Sequence, residues 1–222
     1  MKVAVLVSGG KDSTFTLWLA LHQYDVIYLV AVLSGKESTL FQYQKKPYIE
    51  AFSQAVQIPI KIIEVIDEKE ELPILENGLK DIKVEAILIG GLLSEYQRSK
   101  FNSVAMNIGI PCYAPIWRKN QKMLLQEMIS HDFKIILSLV AGVGFKENDV
   151  GAEITPQFLN KLEQLNTKFG ISLGGEGGEY ETLVLDAPFF KKKIEIVEKE
   201  VIFDEKRLHG YLEIKETKLI EK

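Results

Sequence analysis

The chain has 222 residues, room for one large α/β domain or for a nucleotide-sized domain with a smaller partner. Lys plus Arg number 27 and Asp plus Glu 31, a formal charge of −4, with 26% charged and 46% hydrophobic residues. These values exclude a disordered chain, and they argue against one built mainly to grip nucleic-acid backbone, which needs concentrated positive surface.

In chain order, Lys2 to Val7 is an almost continuous apolar run, the signature of a strand buried on both faces of a parallel sheet. Ser8 to Lys11 breaks it. Ser13 to Gln23 carries Phe15, Leu17, Trp18, Leu19 and Leu21 at helical spacing. Asp25 to Leu33 reads as a strand, residues 36–47 as a long polar loop, Tyr48 to Gln57 as a helix and Pro59 to Ile66 as a third strand. Glu68 to Lys83 is mostly helical. Val84 to Ile89 is a fourth strand stopped by Gly90-Gly91, Arg98 to Asn107 a helix, and Ile110 to Ile116 a fifth strand bent by Pro111 and Pro115. This alternation predicts an α/β fold: an open parallel sheet with helices on both faces. The breakers after the strands share one edge, where such sheets bind ligands.

After Trp117 the pattern changes. Lys122 to Ser130 and Pro156 to Phe169 read as helices, the latter with Phe158, Leu159, Leu162 and Leu165 on one face. Phe133 to Val140, Thr182 to Leu185, Lys192 to Phe203 and His209 to Thr217 read as strands, the last two antiparallel. A soft boundary therefore falls near Trp117 to Asn120, giving domains 1–118 and 119–222, the second a smaller α+β unit. No apolar run approaches the roughly 20 residues of a membrane span, and no signal peptide is visible. A soluble, cytoplasmic protein without membrane contact is expected.

Ser8-Gly9-Gly10-Lys11-Asp12-Ser13 leaves a buried strand and enters a helix. Unpaired N–H groups and the positive end of the helix dipole favour an anion there. The glycines permit positive φ and close approach, Ser8 and Ser13 add hydroxyls, Lys11 adds a mobile charge, and Asp12 or Ser13 is suited to cap the helix. The loop is neither Walker A nor the dinucleotide fingerprint. It matches S-G-G-x-D-[ST] and resembles the PP-loop of the N-type ATP pyrophosphatases. The bland reading is a capped turn.

Gly174-Gly175-Glu176-Gly177-Gly178-Glu179-Tyr180-Glu181-Thr182 sets three carboxylates among four glycines. A solvated acidic hairpin is the plain reading. Four glycines are a costly way to make one, because each loses much backbone entropy. Carboxylates suit a hard cation, an ammonium ion or a cationic substrate, and Glu179 or Glu181 is suited to deprotonate ammonium. Tyr96-Gln97-Arg98 follows the fourth strand at the same ligand edge, where a guanidinium holds phosphate or carboxylate in two-point geometry; the alternative is a surface arginine starting a helix.

The PP-loop opening with Glu176-Gly177-Gly178-Glu179-Tyr180-Glu181-Thr182-Leu183-Val184-Leu185-Asp186-Ala187-Pro188 resembles the diphthine–ammonia ligase family. So do Gly90-Gly91, Tyr96-Gln97-Arg98, Pro111 and Ala114-Pro115-Ile116-Trp117 between them. The resemblance implies a PP-loop ATP-binding domain, its parallel sheet of the adenine nucleotide alpha hydrolase-like kind, and a C-terminal substrate domain. It implies ATP with Mg²⁺ on Ser8, Gly9, Gly10, Lys11, Asp12, Ser13, Gly90 and Gly91, with Asp12 as the metal contact. Lys11, Asp12, Glu176, Glu179 and Glu181 would be catalytic, and Tyr96, Gln97, Arg98, Gly177, Gly178, Tyr180 and Thr182 would bind substrate. The implied reaction amidates diphthine on translation elongation factor 2 with ammonium, through an acyl-adenylate, releasing AMP and pyrophosphate. No nucleic acid is expected, and a homodimer is an allowed assembly. The chain departs from the family after the second strand: a Tyr-His-Thr-like element is replaced by Phe41-Gln42-Tyr43-Gln44-Lys45-Lys46, which has no histidine, so its role is altered or passes to Tyr43 or Gln44.

Cys112 is the one cysteine, which excludes an intrachain disulfide, a four-cysteine metal site and a two-cysteine sulfur relay within one chain. It reads as a buried structural thiol. His22, His131 and His209 lack metal-ligand spacing, Trp18 and Trp117 read as core, and Lys191-Lys192-Lys193 as a solvated strand end. No glutaminase triad is visible, so free ammonium or ammonia from another chain is the expected nitrogen source. Two other readings stay open on residues alone. One is a PP-loop enzyme acting on a different carboxylate or on tRNA. The other is a non-enzymatic ATP-binding protein.

Overall fold

The computed structural model of the chain describes residues 1–35, 38–44 and 46–222. Lys36, Glu37 and Lys45, part of the expected polar loop and, for Lys45, of the histidine-free stretch, lie outside the described residues. The chain divides into two compact units, Met1–Arg118 and Lys119–Lys222.

The first unit contains strands β1 (Lys2–Leu6), β2 (Asp25–Leu33), β3 (Ile60–Glu64), β4 (Ala86–Leu88) and β5 (Cys112–Tyr113). Helices α1 (Lys11–Gln23), α2 (Lys46–Val56), α3 (Glu71–Lys80) and α4 (Glu95–Asn107) connect them. Among the described residues the strands form one sheet, order β3-β2-β1-β4-β5, with every pairing parallel. Such a sheet is stable only when both faces are covered. Ala4, Leu6, Val30, Val32, Ile87 and Ile89 pack against Leu75 and Leu79 of α3 and Phe101 and Val104 of α4. Val3, Val5, Leu29 and Ala31 alternate with them, are equally buried, and face the side where α1 and α2 pack. Each large apolar side chain taken from water contributes about 1.5–3 kcal/mol.

The order reverses between β1 and β4, so the crevice beyond their carboxyl ends is where a parallel sheet receives a ligand. The expected fifth strand, 110–116, shortens to Cys112–Tyr113. The Pro111 and Tyr113 carbonyls accept from Ile87 and Ile89, and the chain then turns with Trp117 N–H on Ala114 O at 3.1 Å. A proline at 115 has no N–H to continue the ladder. Helix α4 begins at Glu95, earlier than its apolar spacing suggests, because the Ser94 hydroxyl caps it by accepting from Gln97 N–H at 3.3 Å.

The second unit contains α5 (Gln121–Ser130), β6 (Lys134–Ala141), α6 (Pro156–Phe169), β7 (Tyr180–Asp186), β8 (Lys192–Asp204) and β9 (His209–Glu221). Its sheet runs β7-β6-β9-β8, all antiparallel. Local chemistry fixes α6 at both ends. Thr155 Oγ1 accepts from Phe158 N–H, Pro156 occupies the first position, and Gly170 ends the helix in the left-handed region at φ 74°. Leu159, Leu162 and Leu165 are buried beneath it, with Phe158 half-buried beside them. The edge strand β8 is mostly exposed and carries cross-strand ion pairs, Glu195 with Lys218 and Glu200 with Lys215, each at 3.0 Å. Charge along an edge discourages further strand pairing. No helix among the described residues is long and apolar enough to cross a membrane.

Candidate functional site

Gly9 turns the chain out of β1 at φ 73° and Gly10 opens α1. Neither Asp12 nor Ser13 caps that helix, contrary to the sequence expectation: Gly10 stands at the cap position, and no side chain among the described residues caps it. Ser13 instead folds back. Its Oγ accepts from Ser8 N–H at 3.1 Å and lies 3.2 Å from Gly10 O, so the loop closes on itself. Lys11 is buried, 5% exposed, and its Nζ pairs with Asp12 Oδ2 at 2.7 Å. The mobile charge expected there is a held one.

Three neighbours shape this loop. The Tyr48 hydroxyl of α2 donates to Gly9 O at 3.0 Å. Gly90, after β4, presses its backbone against the first turn of α1: a Cβ there would stand 2.6 Å from Ser13 N. Gly91 meets only the Ile89 side chain, at 3.7 Å. The third neighbour is Gln42, whose Oε1 accepts from Ser8 Oγ at 3.0 Å. In the histidine-free stretch it is therefore Gln42 that reaches the loop; Tyr43 is exposed and Gln44 buried.

The expected Tyr96-Gln97-Arg98 group lies on the first turn of α4 and its members diverge. Gln97 Nε2 donates to Leu40 O at 3.1 Å and ties α4 to the segment that carries Gln42. Tyr96 is exposed, with Lys100 Nζ 5.4 Å from its ring centroid. Arg98 lies over Trp117 at 4.8 Å and donates to Glu95 Oε2. Arg118 approaches the same ring at 5.7 Å and donates to Glu95 Oε1. Trp117 is half-buried and serves as a guanidinium platform, where the sequence suggested core. The Glu95–Arg98 spacing is visible in the sequence; the stack on Trp117 is not. Trp18 too is half-buried, edge-on to His22.

In the second unit, Gly175 and Gly178 take φ 74° and 80°, which lets the Gly174–Gly178 loop turn tightly before β7. Glu179 organises it: Oε1 accepts from Ser172 N–H at 2.7 Å and Oε2 from Gly177 N–H at 2.9 Å. Gln121 Oε1 accepts from Gly174 N–H at 2.9 Å, and the Tyr180 hydroxyl donates to Leu173 O. Tyr180 and Thr182 are buried, Tyr180 against the Phe145 ring at 6.3 Å. Glu176, Gly177 and Gly178 are exposed, and Glu181 points to the opposite face of β7 from Tyr180 and Thr182, half-buried. No group of three His, Cys, Asp or Glu side chains among the described residues is placed to hold a metal ion. Cys112 is half-buried, where the sequence suggested a buried thiol, and desolvation pushes it up to about 12, which leaves it neutral at physiological pH.

Residues 1–112 match the diphthamide synthase N-terminal domain and residues 120–220 the diphthamide synthase C-terminal domain. The chain belongs to the diphthamide synthase family. It is similar to proteins named diphthine–ammonia ligase. The one from Schizosaccharomyces pombe is 34% identical over 97% of this chain and 39% of its own length. Those from Bos taurus and Homo sapiens are 33% and 31% identical, each over 91% of this chain and 85% of theirs. The chain thus spans well under half of the fission yeast relative and most of the mammalian ones. The two diphthamide synthase domains fall within the two compact units, one carrying the loop at Ser8–Ser13 and the other the loop at Gly174–Gly178.

Proposed function

We propose that this chain is an ATP-dependent, AMP-forming ligase that converts diphthine on translation elongation factor 2 to diphthamide with ammonium. The observation that carries the reading is the loop at the end of β1. It offers uncapped helix N–H groups, Gly9 and Gly10 without side chains, and the buried Lys11 ammonium at the crevice edge of a family-matched domain. That set complements a group on which negative charge grows, and pyrophosphate is such a leaving group.

In the first step a carboxylate oxygen of diphthine bonds to the α-phosphorus of ATP. The bond to the bridging oxygen breaks, and pyrophosphate leaves with the electron pair. Oriented N–H groups of α1 and the Lys11 ammonium stabilise it. Magnesium usually arrives on nucleotide phosphates with one or two protein carboxylates. Asp12, half-buried in the first turn of α1, is the loop carboxylate that would meet it. In the second step an ammonium ion gives a proton to a carboxylate, for which Glu176 and Glu181 are the candidate bases. The ammonia nitrogen bonds to the acyl carbon, the bond from that carbon to the adenylate oxygen breaks, AMP departs with the electron pair, and the nitrogen sheds its extra proton to solvent to leave the neutral amide. Glu179 serves by holding the loop, since both its oxygens already accept backbone N–H groups.

The test is mass spectrometry of elongation factor 2 carrying diphthine after incubation with this protein, ATP, Mg²⁺ and ammonium. The expected result is an acid-to-amide mass change with one AMP per turnover. ADP as product, or no change with AMP absent, overturns the proposal.

A further inference from the structure

From the Ser8–Gln42 contact we infer that Gln42 is a positioning residue for the phosphate loop, acting through Ser8. The inference rests on the reading of that loop as the pyrophosphate cradle. A carboxamide oxygen only accepts, so the 3.0 Å contact places the single Ser8 hydroxyl proton on Gln42 Oε1. Gly10 N–H in turn points at Ser8 Oγ at 3.3 Å. The direction of donation is therefore set: Gly10 N–H to Ser8 Oγ, then Ser8 O–H to Gln42. Ser13 Oγ lies 3.3 Å from Ser8 Oγ, but it directs its own proton at Gly10 O, so the Ser8 hydroxyl orientation is set by Gly10 and Gln42.

This arrangement has a consequence for anion binding. While Ser8 donates to Gln42, its hydroxyl has no proton for a phosphate oxygen. A phosphate entering the loop needs the proton turned toward it. Gln42 permits the exchange because its side chain carries both an acceptor and a donor. With the amide group turned, Nε2 donates to Ser8 Oγ and releases the Ser8 proton to the anion. The loop keeps one hydrogen bond between the two residues in both states, so Ser8 stays in place as its proton changes direction. The segment that carries Gln42 is itself pinned, since Gln97 Nε2 holds Leu40 O two residues earlier and Leu40 is buried under α4. An ionised carboxylate at 42 would only accept and would hold the proton away from the ligand. A thioether would do neither.

The experiment uses the full chain and the variants Q42M and Q42E, with binding of inorganic pyrophosphate and of ATP measured by calorimetry and turnover by AMP release. Thermal melting establishes that each variant folds. Q42M is expected to weaken pyrophosphate binding and raise KM for ATP about two- to tenfold with kcat little changed, because Ser8, no longer held in place, must be ordered by the anion itself. Q42E is expected to bind more weakly than Q42M at about pH 8 and to recover relative to wild type as pH falls toward about 4.3, the ordinary glutamate value, where half of the carboxyls carry a proton to donate. A merely structural role for Gln42 would give no such recovery. Should Q42E fail to fold, the Q42M result alone decides: unchanged pyrophosphate affinity overturns the inference. AMP formed by wild type while both variants bind pyrophosphate like wild type also overturns it and leaves the ligase reading intact. Formation of ADP by wild type removes both.

Discussion

The Tyr48 ring occupies the space beside Gly9 that any larger residue would need: a Cβ on Gly9 would stand 2.3 Å from Tyr48 Cε1. The same tyrosine donates to the Gly9 carbonyl. Gly9→Ala therefore forces both a left-handed backbone on a residue with a side chain and a displaced ring. A left-handed alanine alone costs about 1–2 kcal/mol. The expected outcome is a lowered melting temperature and at least tenfold weaker ATP binding. Tyr48→Phe removes only the hydrogen bond and should cost about 0.5–1.5 kcal/mol in urea unfolding. Equal melting of Gly9→Ala and wild type would show that the ring does not fill that space.

Gly90 and Gly91 should behave differently although they are neighbours. At Gly90 the obstacle is the backbone of Ser13, 2.6 Å from a Cβ, which cannot yield without moving the start of α1. At Gly91 it is a side-chain methyl of Ile89 at ordinary contact distance, 3.7 Å. Gly90→Ala is expected to abolish measurable ATP binding and Gly91→Ala to leave it within about threefold, a difference near 0.6 kcal/mol. Nucleotide titrations of the two variants decide this; the opposite ranking would refute the close approach of β4 and α1.

The buried Lys11 pairs with the half-buried Asp12, so removing either takes an adjacent opposite charge from the other. Lys11→Ala and Asp12→Ala are each expected to cut AMP formation at least about a hundredfold, the effect of losing one preorganised group that faces developing charge. Circular dichroism should show the fold intact. Full turnover in either variant would displace the loop from the reaction.

Glu179→Ala leaves Ser172 N–H and Gly177 N–H without their acceptor. Hydrogen bonds to a charged group are worth about 1.5–3 kcal/mol each. The Gly174–Gly178 loop should lose protection in amide hydrogen exchange, and amidation should stop while ATP binding is spared. Glu176→Ala, which removes an exposed carboxylate, should impair amidation without the change in exchange. Weakened ATP binding with normal amidation in Glu179→Ala would reverse the assignment.

The Cys112 thiol stays protonated until about pH 12, so at pH 7–8 it presents almost no thiolate. Alkylation of the native protein should be much slower than that of a free thiol and should accelerate on unfolding. Cys112→Ala should keep amidation activity. Rapid stoichiometric labelling with loss of turnover would contradict the burial.

What the sequence made legible was local. Helix α6 could be bounded from Thr155, Pro156 and Gly170 because its start and stop signals act within a few residues. The loop at Ser8–Ser13 was readable for the same reason. Strand β5 was overestimated because pairing depends on a partner strand, and Ile110 to Ile116 says nothing of where β4 ends. Gln42 was passed over because its contact with Ser8 spans 34 positions, with no periodicity to mark it. The three glutamates were equally visible in sequence. Which of them folds back depends on the left-handed turns at Gly175 and Gly178, and those exist only once the loop is closed.

Strand β1 lies between β2 and β4, and both of its neighbours follow it in the chain. During synthesis on the ribosome the first strand therefore waits, with one flank open, until about residue 90 has emerged and Gly90 can close against Ser13. Nucleotide-binding competence should appear no earlier than that, and only once α4 has followed to cover its face of the sheet. A nascent-chain series captured on immobilised ATP would show no capture before β4 clears the exit tunnel and a step once α4 has followed it.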